Sequence, residues 1–459
     1  MVDRKASASM SYQTKALIAE AQASVNQGEL VKASDLFQKA LEISPENVTA
    51  LMGLGQTYFR TKTFQQAKTS FNKVLNLRPE HSQAYYGLGM IAQHLGDIPS
   101  AISSFRKSII ANPATEDAYI RLAQLLHQNG ESFEALKTLE AAQSQFPEDL
   151  DFTFMRGKLA TSIAPSWHLP MLADAKRNAA YERAIKAVVS PDDIVLDIGT
   201  GSGILAMMAA RSGAKHVYAV ESNTILASSA REIITLNGYE DQVSIIEKHS
   251  SQIIIGRDMP EKADVLVTEI FDNAMIGEGI LPTISHAWKQ LLKLNARVIP
   301  KRGIIYGALC SCPSLEMFHH AADVSGFDLS PMRLMAHPLS YTDAEARFDR
   351  TPGNIIMSAP FEIKNFDFQR EPKLSFSSTI NIDVLETGRA NAVLLWFDIK
   401  LAEGVIFSTQ STEAEQHWRQ VNQLLISPRD VSKGQRLKLN VGFNKYFQFN
   451  LNVKNKADV

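Results

Sequence analysis

Apolar residues are arranged in three different ways along the chain. Between residues 12 and 150 they recur at a fixed step. Ala33, Ala67, Ala101 and Ala135 stand 34 residues apart, and so do Phe37, Phe71, Phe105 and Leu139. Pro45, Pro79, Pro113 and Pro147 keep the same step. Between 160 and 300 the pattern changes. "NAAYERAIKAVVS" (Asn178 to Ser190) has helical spacing, and short apolar runs follow: "IVLDIG", "HVYAVE", "VSIIE" and "ADVLVTE". Helical stretches such as "GILAMMAARSG" and "ILASSAREIITLNG" separate most of them. Buried strands alternating with helices predict a parallel, doubly wound α/β sheet. From 301 onward "RGIIYGAL", "NAVLLWFDIKL", "GVIFSTQ" and "RLKLNVGF" read as strands with Gly, Pro and Asn turns between them. That predicts an all-β segment, a barrel.

The 34-residue period resembles the tetratricopeptide repeat, a helical hairpin per unit. Small Ala and Gly, as in "LGQTY" and "LGMIA", let paired helices approach. Proline ends the second helix because it lacks a backbone donor and clashes with the preceding turn. About four units over residues 12–150 predict a short solenoid whose concave face takes a peptide or protein. A solenoid used only for packing or dimerisation is the alternative. Residues 160–300 then form a Rossmann-like domain, and 301–459 the barrel.

Composition narrows this picture. The 459 residues suffice for about three domains. A formal net charge of −2 argues against direct nucleic-acid binding driven by overall charge. The two cysteines, Cys310 and Cys312 in "LCSCP", have no second pair to complete a zinc site and read as packed thiols; no metal is expected. "MVDRKASASM" lacks an apolar signal region, and no run reaches the length of a membrane span. The expected location is cytoplasmic, with the nucleus open.

"VLDIGTGSGILAMMAA" sets Gly199, Gly201 and Gly203 between a strand and a helix, where open α/β sheets bind ligands. Asp197 precedes the first glycine, and Glu221 ends the next strand, 18 residues past Gly203. A carboxylate there can accept both hydroxyls of a ribose. The spacing is Gly-x-Gly-x-Gly rather than the dinucleotide form. It is similar to the S-adenosylmethionine-dependent methyltransferase pattern. A nicotinamide or flavin site, or an empty fold, is the alternative.

The stretch "TEIFDNAMIGEGILP" follows the fourth strand and carries Glu269 and Glu278, nine residues apart, with Asp272 between them. By itself it reads as a solvated loop. Beside the glycine turn it resembles the double-glutamate loop of the protein arginine methyltransferases. The planar, forked guanidinium explains the pair: two carboxylates grip it and orient one nitrogen toward a methyl group. Asp272 reads as a loop cap rather than a catalytic acid.

Three further stretches carry the resemblance, which spans roughly 165–450. "WHLPMLADAKRNAAY" places His168, Met171, Asp174, Arg177 and Tyr181 in the family's register. The resemblance implies that Arg177 pairs with the carboxylate of the cofactor's methionine part and that Met171 lines the acceptor pocket. "EQHWRQ" resembles the family's Thr-His-Trp loop, with Gln416 in place of threonine. It implies that His417 pairs with Asp174 and that Trp418 walls the arginine pocket; Asp174 and His417 are expected to orient the loop and to help accept the released proton. "VSGFDLSPMRLMA" (Val324 to Ala336) resembles the dimerisation arm, expected near 315–340. Three departures stand out. "GKLATSIAPSWH" has no tyrosine where dimethylating members carry Tyr-Phe-x-x-Tyr. Ser251 stands where an acid usually meets the adenine amine, leaving backbone groups around Ser250 to hold the base. The motifs are closer to the divergent branch, which includes monomethylating and symmetric-dimethylating enzymes. One member of that branch has such repeats ahead of two methyltransferase modules. This chain has one, so a homodimer through the arm is expected.

The leading expectation is methyl transfer from S-adenosylmethionine to a protein arginine, with Glu269 and Glu278 on the guanidinium. A methyltransferase for another acceptor, and a repeat scaffold with a weak or inactive domain, are the alternatives. Product type, substrate and the partner of the repeats stay open.

Overall fold

The structure, a computed structural model, describes residues 2–163, 168–313, 315, 323–328, 348, 351–410, 417–444 and 447–452. The chain divides into two compact units, Met1–Pro165 and Ser166–Val459.

The first unit is all helical: α1 (Val2–Asn26), α2 (Leu30–Ile43), α3 (Val48–Arg60), α4 (Phe64–Leu77), α5 (Ser82–His94), α6 (Ile98–Ala111), α7 (Glu116–Gln128), α8 (Ser132–Gln145) and α9 (Leu150–Ile163). The first eight pair as hairpins, and each of the four periodic prolines falls two residues after the second helix of its pair. Ala33, Ala67, Ala101 and Ala135 are fully buried, and Phe37, Phe71, Phe105 and Leu139 fill the spaces between hairpins. Phe71 shows why glycine recurs. Its ring lies where a Cβ on Gly55 or Gly87 would stand, 2.7 and 2.6 Å away. α9 follows the fourth hairpin and buries Phe152 against Phe146, ring centroids 5.7 Å apart. A cavity of about 580 Å³ opens on the first helices of the first three hairpins, lined by Gln22, Met52, Gln56, Gln83, Tyr86 and Met90, with Arg60 as the charged lining residue.

The second unit begins with α10 (His168–Ala173) and α11 (Ala175–Val188). A five-stranded sheet follows: β1 (Ile194–Ile198), β2 (His216–Glu221), β3 (Val243–Glu247), β4 (Ala263–Thr268) and β5 (Leu292–Ile299), in the order β3-β2-β1-β4-β5. All its pairings are parallel. Helices α12 (Ile204–Arg211), α13 (Thr224–Leu236) and α14 (Ile280–His286) connect the strands. β5 is absent from the strands expected above. Lys293, Asn295 and Arg297 interrupt its apolar run, which an edge strand tolerates. Arg297 is held by Asp193 at 2.5 Å and by the Val188 carbonyl at 2.6 Å.

The remaining strands are β6 (Arg302–Ser311), β7 (Asp323–Val324), β8 (Phe327–Asp328), β9 (Ile355–Ile356), β10 (Phe361–Asp367), β11 (Phe376–Asp383), β12 (Gly388–Ala402), β13 (Val405–Ser408), β14 (Val421–Val431), β15 (Arg436–Phe443) and β16 (Phe447–Asn452). They form antiparallel sheets. One runs β10-β6-β12-β13, with β14 also on β12 and β9 on β6; another runs β11-β15-β16. The expected strands correspond to β6, β12, β13 and β15. β10 and β11 interleave polar residues with apolar ones, so no continuous run marks them. Both sheets share one core with the parallel sheet, including Phe397, Phe449 and Trp418. Cys310 and Cys312 are buried free thiols with sulfurs 3.6 Å apart. Of the expected arm, Leu315 and the β7–β8 hairpin are described, and residues 316–322, 329–340 and Gln416 lie outside the described residues. Among the described residues no helix is long and apolar enough to cross a membrane.

Replacing Phe71 by Ala should destabilise the repeat unit by about 3–5 kcal/mol, the usual result of emptying a buried aromatic site. Urea unfolding followed by far-UV circular dichroism would detect the loss as an earlier helical transition. An unshifted transition would contradict the packing described.

Candidate active site

The parallel sheet ends in a glycine turn. β1 stops at Ile198, and Gly199, Gly201 and Gly203 follow with φ of 77°, 54° and 82° before α12 begins. At Gly201 a side chain is excluded twice over. The backbone is left-handed, and a Cβ would come within 2.7 Å of the His168 ring. Asp197 is fully buried beneath the turn and accepts a hydrogen bond from Thr200 Oγ1 at 2.6 Å. Burial raises its carboxyl to about 7. Glu221 ties β2 to the turn: its carboxylate accepts from the Gly201 N–H at 3.0 Å and from the Asn223 N–H at 2.8 Å. Each oxygen keeps a lone pair, so the carboxylate that orders the turn can also take ribose hydroxyls. Ser250 and Ser251 lie just past β3 in a single 3₁₀ turn, Ser250 buried and Ser251 exposed.

His168 was not among the residues assigned to this edge by sequence. It is buried at the start of α10, its ring against the Gly201 turn, and burial lowers its pKa. Its place in the "WHLPML" stretch was the available signal. Met171 is buried on the same helix.

Arg177 organises the other half of the site. Asp174 caps α11 by accepting from the Arg177 N–H at 2.9 Å. The Arg177 side chain is 1% exposed. Its guanidinium pairs with Glu269, donates to Asn178 Oδ1 at 2.7 Å, and lies 5.4 and 5.8 Å from the Tyr181 and Trp418 rings. The sequence reserved Arg177 for the cofactor and Glu269 for the substrate. The structure brings them together, because a guanidinium this deeply buried requires a carboxylate partner. Arg177 Nε remains buried without a hydrogen bond among the described residues.

Glu269 follows β4 directly and is buried. Burial raises its carboxyl to about 7, Arg177 opposes that shift, and Glu278 and Asp197 add to it. Beyond Glu269 the loop folds back on itself. Asp272 makes the return possible, accepting from the Ala274 N–H at 3.1 Å and the Gly277 N–H at 2.9 Å. It is a loop cap, as expected. Glu278 is exposed at the loop surface, and the protein crowded around it, then Asp272, raise its carboxyl. Among the described residues it has no hydrogen bond or ion pair.

The segment 417–419 pins this loop from the antiparallel sheets. Trp418 is buried and donates from Nε1 to the Phe271 carbonyl at 3.0 Å, edge-on to Phe271, Phe397 and Phe407. The Arg419 N–H donates to Asn273 Oδ1 at 2.9 Å. The expected contact between His417 and Asp174 runs through the backbone: the His417 N–H donates to Asp174 Oδ2 at 3.0 Å. Burial, then Arg177, lower the His417 ring to about 4, against the pull of Asp174. The ring is neutral at pH 7.

The comparisons agree with this arrangement. Residues 301–454 match the arginine methyltransferase oligomerization subdomain, and 182–299 match the ribosomal protein L11 methyltransferase (PrmA) family. Residues 25–91 and 92–149 match tetratricopeptide repeats. The arginine N(omega)-methyltransferase of Streptomyces achromogenes subsp. streptozoticus is 32% identical over 289 residues, covering 63% of this chain and 79% of the relative. This chain belongs to the arginine methyltransferase family. Protein arginine N-methyltransferase 7 of Danio rerio is 33% identical over 62% of the chain, and protein arginine N-methyltransferase 9 of Xenopus laevis 32% identical over 57%. The chain spans 45% and 35% of the length of those two relatives. The Trypanosoma brucei PRMT1 enzyme–prozyme heterotetrameric complex with AdoHcy superposes with a TM-score of 0.53 at 26% identity, covering 61% of this chain and 87% of that one.

The family's cofactor, S-adenosylmethionine, fits the residues present. Gly199, Gly201 and Gly203 hold a left-handed turn at the sheet edge, Arg177 Nε is a buried donor with no described partner, and Glu221 stands at the next strand end. Replacing Gly201 by Ala should weaken S-adenosylhomocysteine binding at least tenfold by calorimetry while circular dichroism stays unchanged. Undiminished affinity would remove the turn from the cofactor site.

Proposed function

We propose that this protein transfers a methyl group from S-adenosylmethionine to a guanidino nitrogen of arginine in protein substrates. The observation that carries this reading is the pair Glu269 and Glu278 on one folded-back loop after β4, beside the glycine turn, with Glu278 free of described partners. The local surroundings already accommodate a guanidinium. Around Arg177 they provide a carboxylate and the aromatic rings of Tyr181 and Trp418.

When bound, the cofactor supplies an electrophilic methyl on a sulfonium. The chain's residues position the acceptor for it. Glu278 receives the incoming guanidinium from the solvent side and Glu269 holds it from the buried side, so the fork lies across both carboxylates. The positive charge is drawn toward the acids, which leaves one nitrogen more nucleophilic. Glu269, near 7, is matched to taking the proton that the methylated nitrogen releases. His417 is too weak a base for that role, and Asp174 already accepts two backbone hydrogen bonds. These two residues hold the site in register.

The match to the oligomerization subdomain supports a homodimer, and the repeats support a protein or peptide partner. The lining of the repeat cavity, with amides, thioethers and one arginine, suits an uncharged extended segment rather than the cationic target.

Glu278→Gln should reduce transfer to an arginine peptide at least a hundredfold while S-adenosylhomocysteine affinity stays within twofold. Label retained on arginine at the wild-type rate would exclude the role. The pH profile gives a second check. Glu269 grips a cation only when ionised, so kcat/KM should fall as pH drops through about 7. His417, at about 4, contributes no step above pH 5. A flat profile from pH 6 to 8 would contradict the assignment.

A further inference from the structure

The two halves of the glutamate loop are held differently. The 417–419 segment reaches the Phe271 carbonyl and Asn273 Oδ1, both in the half that follows Glu269. Asp272 gathers the Ala274 and Gly277 N–H groups, but its carboxylate hangs from that same first half. Glu278 has no hydrogen bond or ion pair among the described residues. The half that carries it meets the antiparallel sheets through Met275.

Met275 departs from its neighbours in two ways. Its φ is 75°, a left-handed backbone that L side chains adopt only at a cost, since Cβ crowds the following carbonyl oxygen. Glycine would sit there freely, yet the residue is a methionine and is fully buried. Ile276, buried beside it, has no such backbone. The second departure is that its thioether fills a place that glycine keeps open on β6. A Cβ on Gly303 would stand 2.6 Å from Met275 Sδ and 2.8 Å from its Cε, with the Phe368 ring at 3.2 Å. The walls of this socket are fixed. Gly303 pairs with Phe366 of β10 and Ile399 of β12. The Phe368 N–H donates to the Lys301 carbonyl at 3.1 Å, and the Phe368 carbonyl accepts from Trp288 Nε1 at 3.0 Å. A strained backbone persists where its surroundings over-determine it. Here the socket does so, three residues before Glu278.

We propose that Met275 is a positioning residue for arginine transfer: seated against Gly303, it sets where Glu278 stands and so governs acceptor affinity independently of cofactor binding. The inference rests on the proposed methyl transfer to arginine and adds the contact that holds its second carboxylate in place.

Steady-state transfer to an arginine peptide by the full-length chain tests it, with calorimetry of S-adenosylhomocysteine alongside. Met275→Gly relieves the backbone but empties the socket, so it separates the two features. KM for the peptide should rise about tenfold, with kcat changed less than about threefold and S-adenosylhomocysteine affinity within about twofold. Met275→Leu refills most of the socket and should keep KM within about threefold of the wild type. Gly303→Ala drives a methyl into the thioether and should raise KM about tenfold from the opposite side. Combining Met275→Ala with Gly303→Ala gives that methyl the space the thioether leaves, so the double variant should be less impaired than either change alone. A wild-type KM in Met275→Gly, or a double variant impaired by the full sum of its two changes, overturns the proposal. So does a parallel loss of peptide and S-adenosylhomocysteine binding, which marks a merely structural role. Each of these leaves the transfer reading intact. A wild type that binds S-adenosylhomocysteine and labels no arginine overturns that reading, and the proposal with it.

Discussion

The buried ion pair between Arg177 and Glu269 is the interaction on which the site depends. Two opposite charges in a poorly hydrated interior are stable only when each meets the other with good geometry. Every neighbouring element contributes to that geometry. Asp174 caps the helix carrying Arg177, β4 delivers Glu269, and Tyr181 and Trp418 flank the guanidinium. The pair also links the two halves of the proposed reaction. In the proposed reaction Arg177 serves the cofactor and Glu269 the acceptor, so both binding events would act on one charge balance. The incomplete compensation of burial explains why the Glu269 carboxyl stands near 7 rather than in the ordinary carboxylate range.

Around that pair the unit divides its labour by layer. The parallel sheet ends in the glycine turn, whose Gly201 N–H is tied to the Glu221 carboxylate at the end of the next strand. The antiparallel sheets contribute through one short segment. Trp418 and Arg419 each hold a point of the glutamate loop, while the His417 N–H reaches Asp174. A flexible Gly-containing loop thereby acquires a defined shape from outside itself. Asp272 adds an internal constraint by gathering two loop N–H groups.

Much of this was legible from residue order. The 34-residue step of Ala, Phe and Pro specifies helical hairpins because each position recurs in the same packing environment. The strand–glycine–helix sequence points to a ligand-binding turn because glycine adopts its left-handed backbone at the least cost. The glutamate pair pointed to a guanidinium through its resemblance to the family's double-glutamate loop, since by itself the stretch reads as a solvated loop. Strands with interleaved polar residues were not legible, since β5 and β11 depend on neighbours for their pairing rather than on a continuous apolar run.

Sequence alone therefore determined the kinds of element, their order and the types of chemical group near the sheet edge, since these follow from local periodicity and side-chain chemistry. Tertiary structure decided which groups share a charge and which face the ligand. Arg177 meets Glu269 across 92 residues, and Asp174 meets the His417 backbone across 243. No local rule encodes such contacts, because burial and electrostatic pairing are properties of the assembled core.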